Sequence, residues 1–236
     1  MATNYNPRIV TDGLVLALDA GNTKSYPGSG TTWTDLSGNG NNGTLTNGPT
    51  YSSSDGGSIV FDSTNDYAYS YLQGTQSHDN DYTFEVWVYF PASGVWHSGI
   101  GSGNELLLVG SNGGQAFSST DGGFGLALNN NGSDTVAVFN FTDGFTCNYV
   151  VQRDTWYHLV ATHTPGTNGT KLYVNGSLYA SANMTATGNL TYNGVSIGGG
   201  YFGYSDKSIS ISRIYNRALS ASEIQQNFNA TKSRFQ

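Results

Sequence analysis

Eight Asn-Gly pairs, beginning at Asn39, Asn42, Asn47, Asn112, Asn131, Asn168, Asn175 and Asn193, punctuate this chain of 236 residues. Such pairs favour tight turns, because Asn and Gly both tolerate the positive φ that a two-residue hairpin demands. Short runs of strand character lie between them. Thr83–Phe90 (TFEVWVYF) is the clearest, with Phe84, Val86, Val88 and Phe90 on one face and Glu85, Trp87 and Tyr89 on the other. Strands are also expected at Leu14–Leu18, Ser58–Phe61, Leu106–Val109, Phe124–Leu128, Thr135–Phe139, Val195–Ile197 and Ser208–Tyr215. Trp156–His163 and Lys171–Val174 flank Thr164–Thr170 as a hairpin. A single short helix is expected after Ser220. There Ser220-Ala-Ser-Glu223 forms a capping box, and Ile224 and Phe228 make an apolar stripe. The alternating faces need a partner layer, so the class is all-β, with two packed antiparallel sheets.

Composition narrows the function. At 37% hydrophobic and 13% aromatic the chain is too apolar for disorder. Charged residues are only 11%, the net charge is −7, and no Lys/Arg cluster occurs, which argues against nucleic acid as a partner. No apolar run approaches the roughly 18 residues of a bilayer span, so membrane insertion is not expected. Met1–Pro7 lacks a basic region followed by an apolar stretch, so manufacture in a cytoplasm without a secretory signal is expected. Cys147, the lone cysteine, can form neither an internal disulfide nor a zinc cluster and reads as a small buried hydrophobe. No charged or Pro-rich linker divides the chain, which reads as an N-terminal arm, 1–10, and a single domain, 11–236.

Four blocks carry a resemblance. Gly13–Thr46, Ser58–Tyr67 (SIVFDSTNDY), the hairpin Trp156–Ser181 and the ending Ile209–Phe228 (ISISRIYNRALSASEIQQNF) together resemble the laminin-G-like, concanavalin A-like jelly-roll family. The similarity is greatest to single-domain versions among structural proteins of tailed bacteriophages. The resemblance implies a two-sheet jelly-roll sandwich with one short C-terminal helix. It also implies a virion component, a capsid decoration, fibre or tail protein assembled in the host cytoplasm. Other virion proteins would be its partners, a homo-oligomer its form, and host-surface carbohydrate its ligand. Asn4–Val10 would then be a docking arm. The alternative is a calcium-assisted lectin or adhesin with no virion role, and after it a polysaccharide-cleaving enzyme.

Candidate sites follow. In Asp35-Leu-Ser37-Gly-Asn39-Gly-Asn41, oxygen-bearing side chains recur at every second position, as in the first half of an EF-hand loop. Position 46 is Thr46, so the bidentate glutamate is missing. Asp35, Ser37, Asn39 and Asn41, with Asp19, are therefore candidate ligands for Ca2+, against the alternative of a turn whose Asx side chains satisfy backbone amides. The resembling sequences often carry an Asp in the final strand, where this chain has Ser210. Asp62 and Asp66 form a second acidic pair, which Asp19 and Asn22 could approach, against the alternative of turns held by local side-chain hydrogen bonds. For sugar binding, Trp96 with His97, and Tyr201, Phe202 and Tyr204 with Asp206, are the rim candidates.

Catalysis is not expected. Members of the resembling superfamily that hydrolyse β-glucans carry E-x-D-x-x-E on one strand, and this chain has no such pattern. Glu85, Glu105 and Glu223 stand isolated in sequence. The four histidines form no cluster, since His158 and His163 fall on opposite strand faces. Gly198-Gly-Gly200 precedes no helix and reads as a loop rather than a phosphate cradle. Trp87, Trp156, Ile214 and Leu219 read as scaffold.

Overall fold

The structure is a computed structural model that describes residues 8–77, 80–95, 103–111, 124–129, 134–140, 144–184, 191–200 and 203–236. In chain order its strands begin with β1 (Leu14–Asp19), β2 (Thr32–Trp33), β3 (Gly43–Thr46), β4 (Thr50–Ser52), β5 (Ser58–Phe61) and β6 (Tyr67–Ser77). Then come β7 (Tyr82–Phe90), β8 (Gly103–Ser111), β9 (Phe124–Asn129), β10 (Thr135–Asn140), β11 (Gly144–Val150) and β12 (Thr155–His163). The remainder are β13 (Thr170–Val174), β14 (Ser177–Ala182), β15 (Thr191–Ile197), β16 (Gly199–Gly200), β17 (Gly203–Tyr204) and β18 (Lys207–Tyr215), before helix α1 (Ala221–Thr231).

β16 and β17 pair only with each other, and the other sixteen strands make two eight-stranded sheets. Sheet A runs β14-β13-β12-β7-β18-β5-β4, with β1 also paired to β18. Sheet B runs β11-β10-β9-β8-β15-β6-β3-β2. The expected all-β sandwich with one C-terminal helix is the observed architecture. Its core forms where the inward-facing rows meet: Phe84, Val86, Val88 and Phe90 from β7 pack with Leu126, Leu128, Val136, Val138, Val195 and Ile197 from sheet B. Burying these rows at about 25 cal/mol per Å2 supplies the main drive to fold.

Of the Asn-Gly pairs, those at Asn47, Asn168 and Asn175 have a left-handed Asn, and those at Asn112 and Asn131 lie outside the described residues. Asn175 (φ 50°) and Gly176 (φ 80°) join β13 to β14 in two residues, both left-handed, as a type I′ hairpin requires. Asn193-Gly194 departs from the turn expectation. That pair lies inside β15, where the register slips between Tyr192 and Gly194 because β6 carries extra residues there, so the pair sits in a strand rather than a turn.

The two outer faces differ. On sheet A, α1 lies across β7, β12 and β18. Ile224 packs with Val160, Tyr173 and Tyr215, and Phe228 packs with Trp87 and Ile211. The capping box forms as the sequence implies, with Ser220 Oγ accepting from the Glu223 amide and the Glu223 carboxylate accepting from the Ser220 amide. Arg217 then grips the same carboxylate through two nitrogens, at 2.6 and 3.0 Å. Among the described residues, sheet B has no helix over it.

Candidate functional site

Along β6, Ala68 and Leu72 turn into the core, so Tyr69 and Tyr71 stand on the outer face of sheet B. Their rings meet edge to face, 4.7 Å apart at 78°. Tyr71 is 43% exposed. Cross-strand pairing sets Ser196 and Thr44 beside Tyr69, and Gly194 beside Tyr71. Gly194 is itself buried and places no side chain beside the exposed ring. Ser196 is buried, and among the described residues its Oγ has no hydrogen-bond partner, although buried hydroxyls are normally paired. A paired aromatic platform beside small and hydroxyl-bearing residues offers apolar ring faces together with hydrogen-bonding edges. The sequence reading missed both tyrosines. Their signal was the alternation Tyr67-Ala-Tyr69-Ser-Tyr71-Leu, a period of two that went uncounted as a strand.

Of the rim candidates, Tyr204 and Asp206 fall in the described part, and Trp96, His97, Tyr201 and Phe202 lie outside the described residues. Asp206 borders a depression of about 340 Å3, lined also by Phe61, Asp62, Pro91, Ser93 and Gly94. Its carboxylate accepts from the Ser63 and Val95 amides, and its own amide donates to the Val95 carbonyl. Asp206 therefore staples two turns together. Tyr204 is half-buried, with its ring packed close over Gly199. Arg153 binds Asp134 at 2.8 and 3.1 Å and donates to the Pro91 and Gly94 carbonyls, fixing the same loop from the other side. Asp62 is exposed. Despite a desolvation cost, the Thr64 and Asn65 amides hold its carboxyl below the usual range. Burial pushes the neighbouring Asp66 carboxyl up, and the Asp62 charge adds to that.

The five candidate metal ligands do not assemble as one set. Asp35 accepts amide hydrogens from Ala17, Ser37 and Asn41 at 2.8, 2.9 and 3.0 Å. Asn39 and Asn41 turn their NH2 groups, not their oxygens, toward the Val15 carbonyl at 3.1 and 2.8 Å, and Ser37 Oγ lies 2.9 Å from it. Val15 is the bulged residue of β1, whose register slips between Leu14 and Leu16. The loop thus binds β1 of sheet A to the β2–β3 hairpin of sheet B. Asp19 is elsewhere, taken at 2.9 Å on both oxygens by Arg234, which also reaches Ser210 Oγ and the Gly56 carbonyl. Donors pointed inward and carboxylates already filled do not fit a calcium ion, which needs six to eight oxygens at about 2.4 Å.

Under α1 lies a buried polar network that the sequence reading did not assemble. Glu85 accepts from Arg213 and, at 3.0 Å, from His158 Nε2 on one oxygen, and from Asn227 Nδ2 at 2.8 Å on the other. Burial would raise the Glu85 carboxyl, but Arg213 and then His158 hold it down at about 2. Asn227 also accepts from the Val10 amide, and Tyr215 donates to the Val10 carbonyl. With Gln226 donating to the Arg8 carbonyl, the chain around residue 10 and the C-terminal helix are tied to one face. His163 faces the core instead, bonded to Thr170 and stacked on Tyr82. Every atom of the Glu85 carboxylate has a structural partner, so it holds the fold rather than a substrate.

The cations can be placed completely, because all nine Lys and Arg fall in the described residues. Arg153, Lys207, Arg213, Arg217 and Arg234 are engaged with carboxylates or carbonyls. Arg8, Lys24, Lys171 and Lys232 lie in the N-terminal segment, the turn after β1, strand β13 and the segment after α1. None lies in a strand of sheet B, whose strands hold one formally charged residue, Glu105.

The family model of the concanavalin A-like lectin/glucanases superfamily matches residues 62–225. Among solved structures, Trypanosoma rangeli sialidase in complex with sialic acid is similar at a TM-score of 0.66 and 20% identity, covering 94% of this chain and 34% of that one. The botulinum neurotoxin serotype D ligand binding domain in complex with N-acetylneuraminic acid gives 0.66 and 11%, covering 93% and 51%. A botulinum neurotoxin type C structure, whose cell entry depends on interaction with two ganglioside molecules, gives 0.67 and 11%, covering 94% and 52%. The chain thus spans between a third and about half of these proteins. No curated protein matches it. The expectation of a non-enzyme is corrected by the first of these likenesses. An enzyme contains this fold, so the missing E-x-D-x-x-E pattern does not set the chain apart from enzymes.

Proposed function

This chain belongs to the concanavalin A-like lectin/glucanases superfamily, and on that premise we propose that it is a carbohydrate-binding domain whose glycan lies against Tyr69 and Tyr71 on the outer face of sheet B. The observation that carries this is the edge-to-face tyrosine pair, with Tyr71 exposed and Tyr69 half-buried beneath it, beside the exposed Thr44. Sugar rings present C–H faces that lie well on aromatic rings and hydroxyls that pair with hydroxyl and amide edges. The opposite face is already covered by α1.

A finer placement rests on the resemblance to bacteriophage structural proteins. In it the domain is displayed on a virion, with the α1 side toward other virion proteins or further copies of the chain, and sheet B toward the glycan. Support comes from the shared anchorage of residues 8–10 and α1 on sheet A, which leaves sheet B facing away.

Binding to a panel of bacterial surface polysaccharides tests the proposal, with released sugar measured in the same wells because the fold occurs in an enzyme. Saturable binding that weakens about tenfold or more in Tyr71→Ala is expected, as for truncation of an aromatic anchor. Binding unchanged in both Tyr69→Ala and Tyr71→Ala would place the glycan elsewhere.

A further inference from the structure

We infer that the sheet B site takes a neutral glycan and discriminates against sialylated, uronic or sulfated ones; this rests on the glycan-binding reading above and specifies its ligand class. Carboxylate, sulfate and phosphate groups are recognised by charge-assisted hydrogen bonds, above all by the fork of an arginine. This chain has no such group to offer there. Its strands in sheet B carry no Lys or Arg, and the segments outside the described residues carry none either.

The loop end beside the sheet does not supply the missing charge. Arg153 there is spent on Asp134 and two loop carbonyls, and Lys207 is buried with its ammonium on the Gly198 carbonyl. Around them stand Asp62, Asp154 and Asp206, whose carboxylates accept main-chain amides. A net charge of −7 adds a general repulsion of anions. The groups on the face itself are of another kind. Tyr69 and Tyr71 present rings, and Thr44 presents an exposed hydroxyl. They suit a ligand of C–H faces and hydroxyls. The similar structures with sialic acid in their complexes thus share this chain's fold without implying its ligand.

The test titrates the purified chain with laminarin, mannan and amylose as neutral polymers, and with sialyllactose, polygalacturonate and heparin as anionic ligands. Each titration is run at about 0.1 M and about 1 M salt, between which screening shortens the Debye length from about 10 to about 3 Å. The expected result is saturable binding confined to a neutral polymer, insensitive to salt and lost in Tyr71→Ala, a surface substitution that leaves the melting temperature nearly unchanged. Binding of an anionic ligand that weakens with salt and disappears in Tyr71→Ala would overturn the neutral-ligand inference while keeping the tyrosine site. Binding that survives both tyrosine substitutions, or no binding to any glycan, would overturn the site and the inference together.

Discussion

The outer faces of the two sheets are built from opposite materials. Sheet A carries Glu85, Arg213 and His158 on its outward rows, with neighbouring elements adding Asn227 and Arg217, and nearly all of this is sealed under α1. Sheet B carries tyrosines, threonine, serine and glycine outward, and no cation. Charge in this chain is therefore a fastening, used where a helix and the chain near residue 10 must be held in one register. Sheet B, whose strands hold no cation, has no such element to hold among the described residues. The difference teaches that a strongly perturbed carboxylate need not mark the working site. Glu85 is held at about 2 because it is fully committed.

The sharpest way to break this comparison is to remove the fastening. Arg213→Met leaves Glu85 buried and uncompensated, which should cost about 3–5 kcal/mol in urea denaturation. Adding Glu85→Leu removes the stranded charge and should restore part of that loss. A loss below about 1 kcal/mol for the single variant would mean that the network is not a tie.

Acid should reach the same face next. Glu85 sits at about 2 when folded against 4.5 for the free side chain, and Glu223, gripped by Arg217, also falls to about 2. A depressed carboxyl lends stability above its unfolded value and loses it as pH falls toward its folded one. Denaturation midpoints should thus fall steadily from about pH 4.5 to about 2, with a shallower slope in Glu223→Gln. Flat stability across that window would remove these carboxylates from the ledger of sheet A.

Much of sheet A was legible from sequence, because its strands alternate cleanly and its helix announces itself with Ser220 and Glu223. The network was not. Glu85, His158, Arg213 and Asn227 are up to 142 positions apart, and only the register of β7, β12 and β18, with α1 packed over them, brings them together. On sheet B, β6 escaped notice because Tyr alternates there with Ala and Ser, which dilutes the hydrophobic period. Asn193-Gly194 misled for the complementary reason: a dipeptide that favours a turn can also sit within a strand, and pairing with β6 and β8 decided between them. Asp206, a rim candidate from sequence, has its carboxylate occupied by two amides that no sequence pattern reveals.

The smallest expected effect concerns the seam between the two sheets. Asp35 lies on the β2–β3 connection of sheet B, yet it accepts the Ala17 amide of β1, and Asn41 returns to the Val15 carbonyl of that strand. Asp35→Asn keeps the shape but exchanges one acceptor oxygen for a donor, so at least one buried amide loses its partner, at about 1–3 kcal/mol. If the loop is a seam, that loss is the same in calcium and in chelator, because the amides rather than an ion fill the carboxylate. If the loop held calcium, the unsubstituted chain would gain melting temperature on adding the ion, by an amount that grows with the logarithm of its concentration, and Asp35→Asn would abolish the gain. Equal melting curves in both buffers would leave the two sheets joined by hydrogen bonds alone at this corner, with the oxygen-rich spacing of 35–41 explained by the bulge at Val15 that it serves.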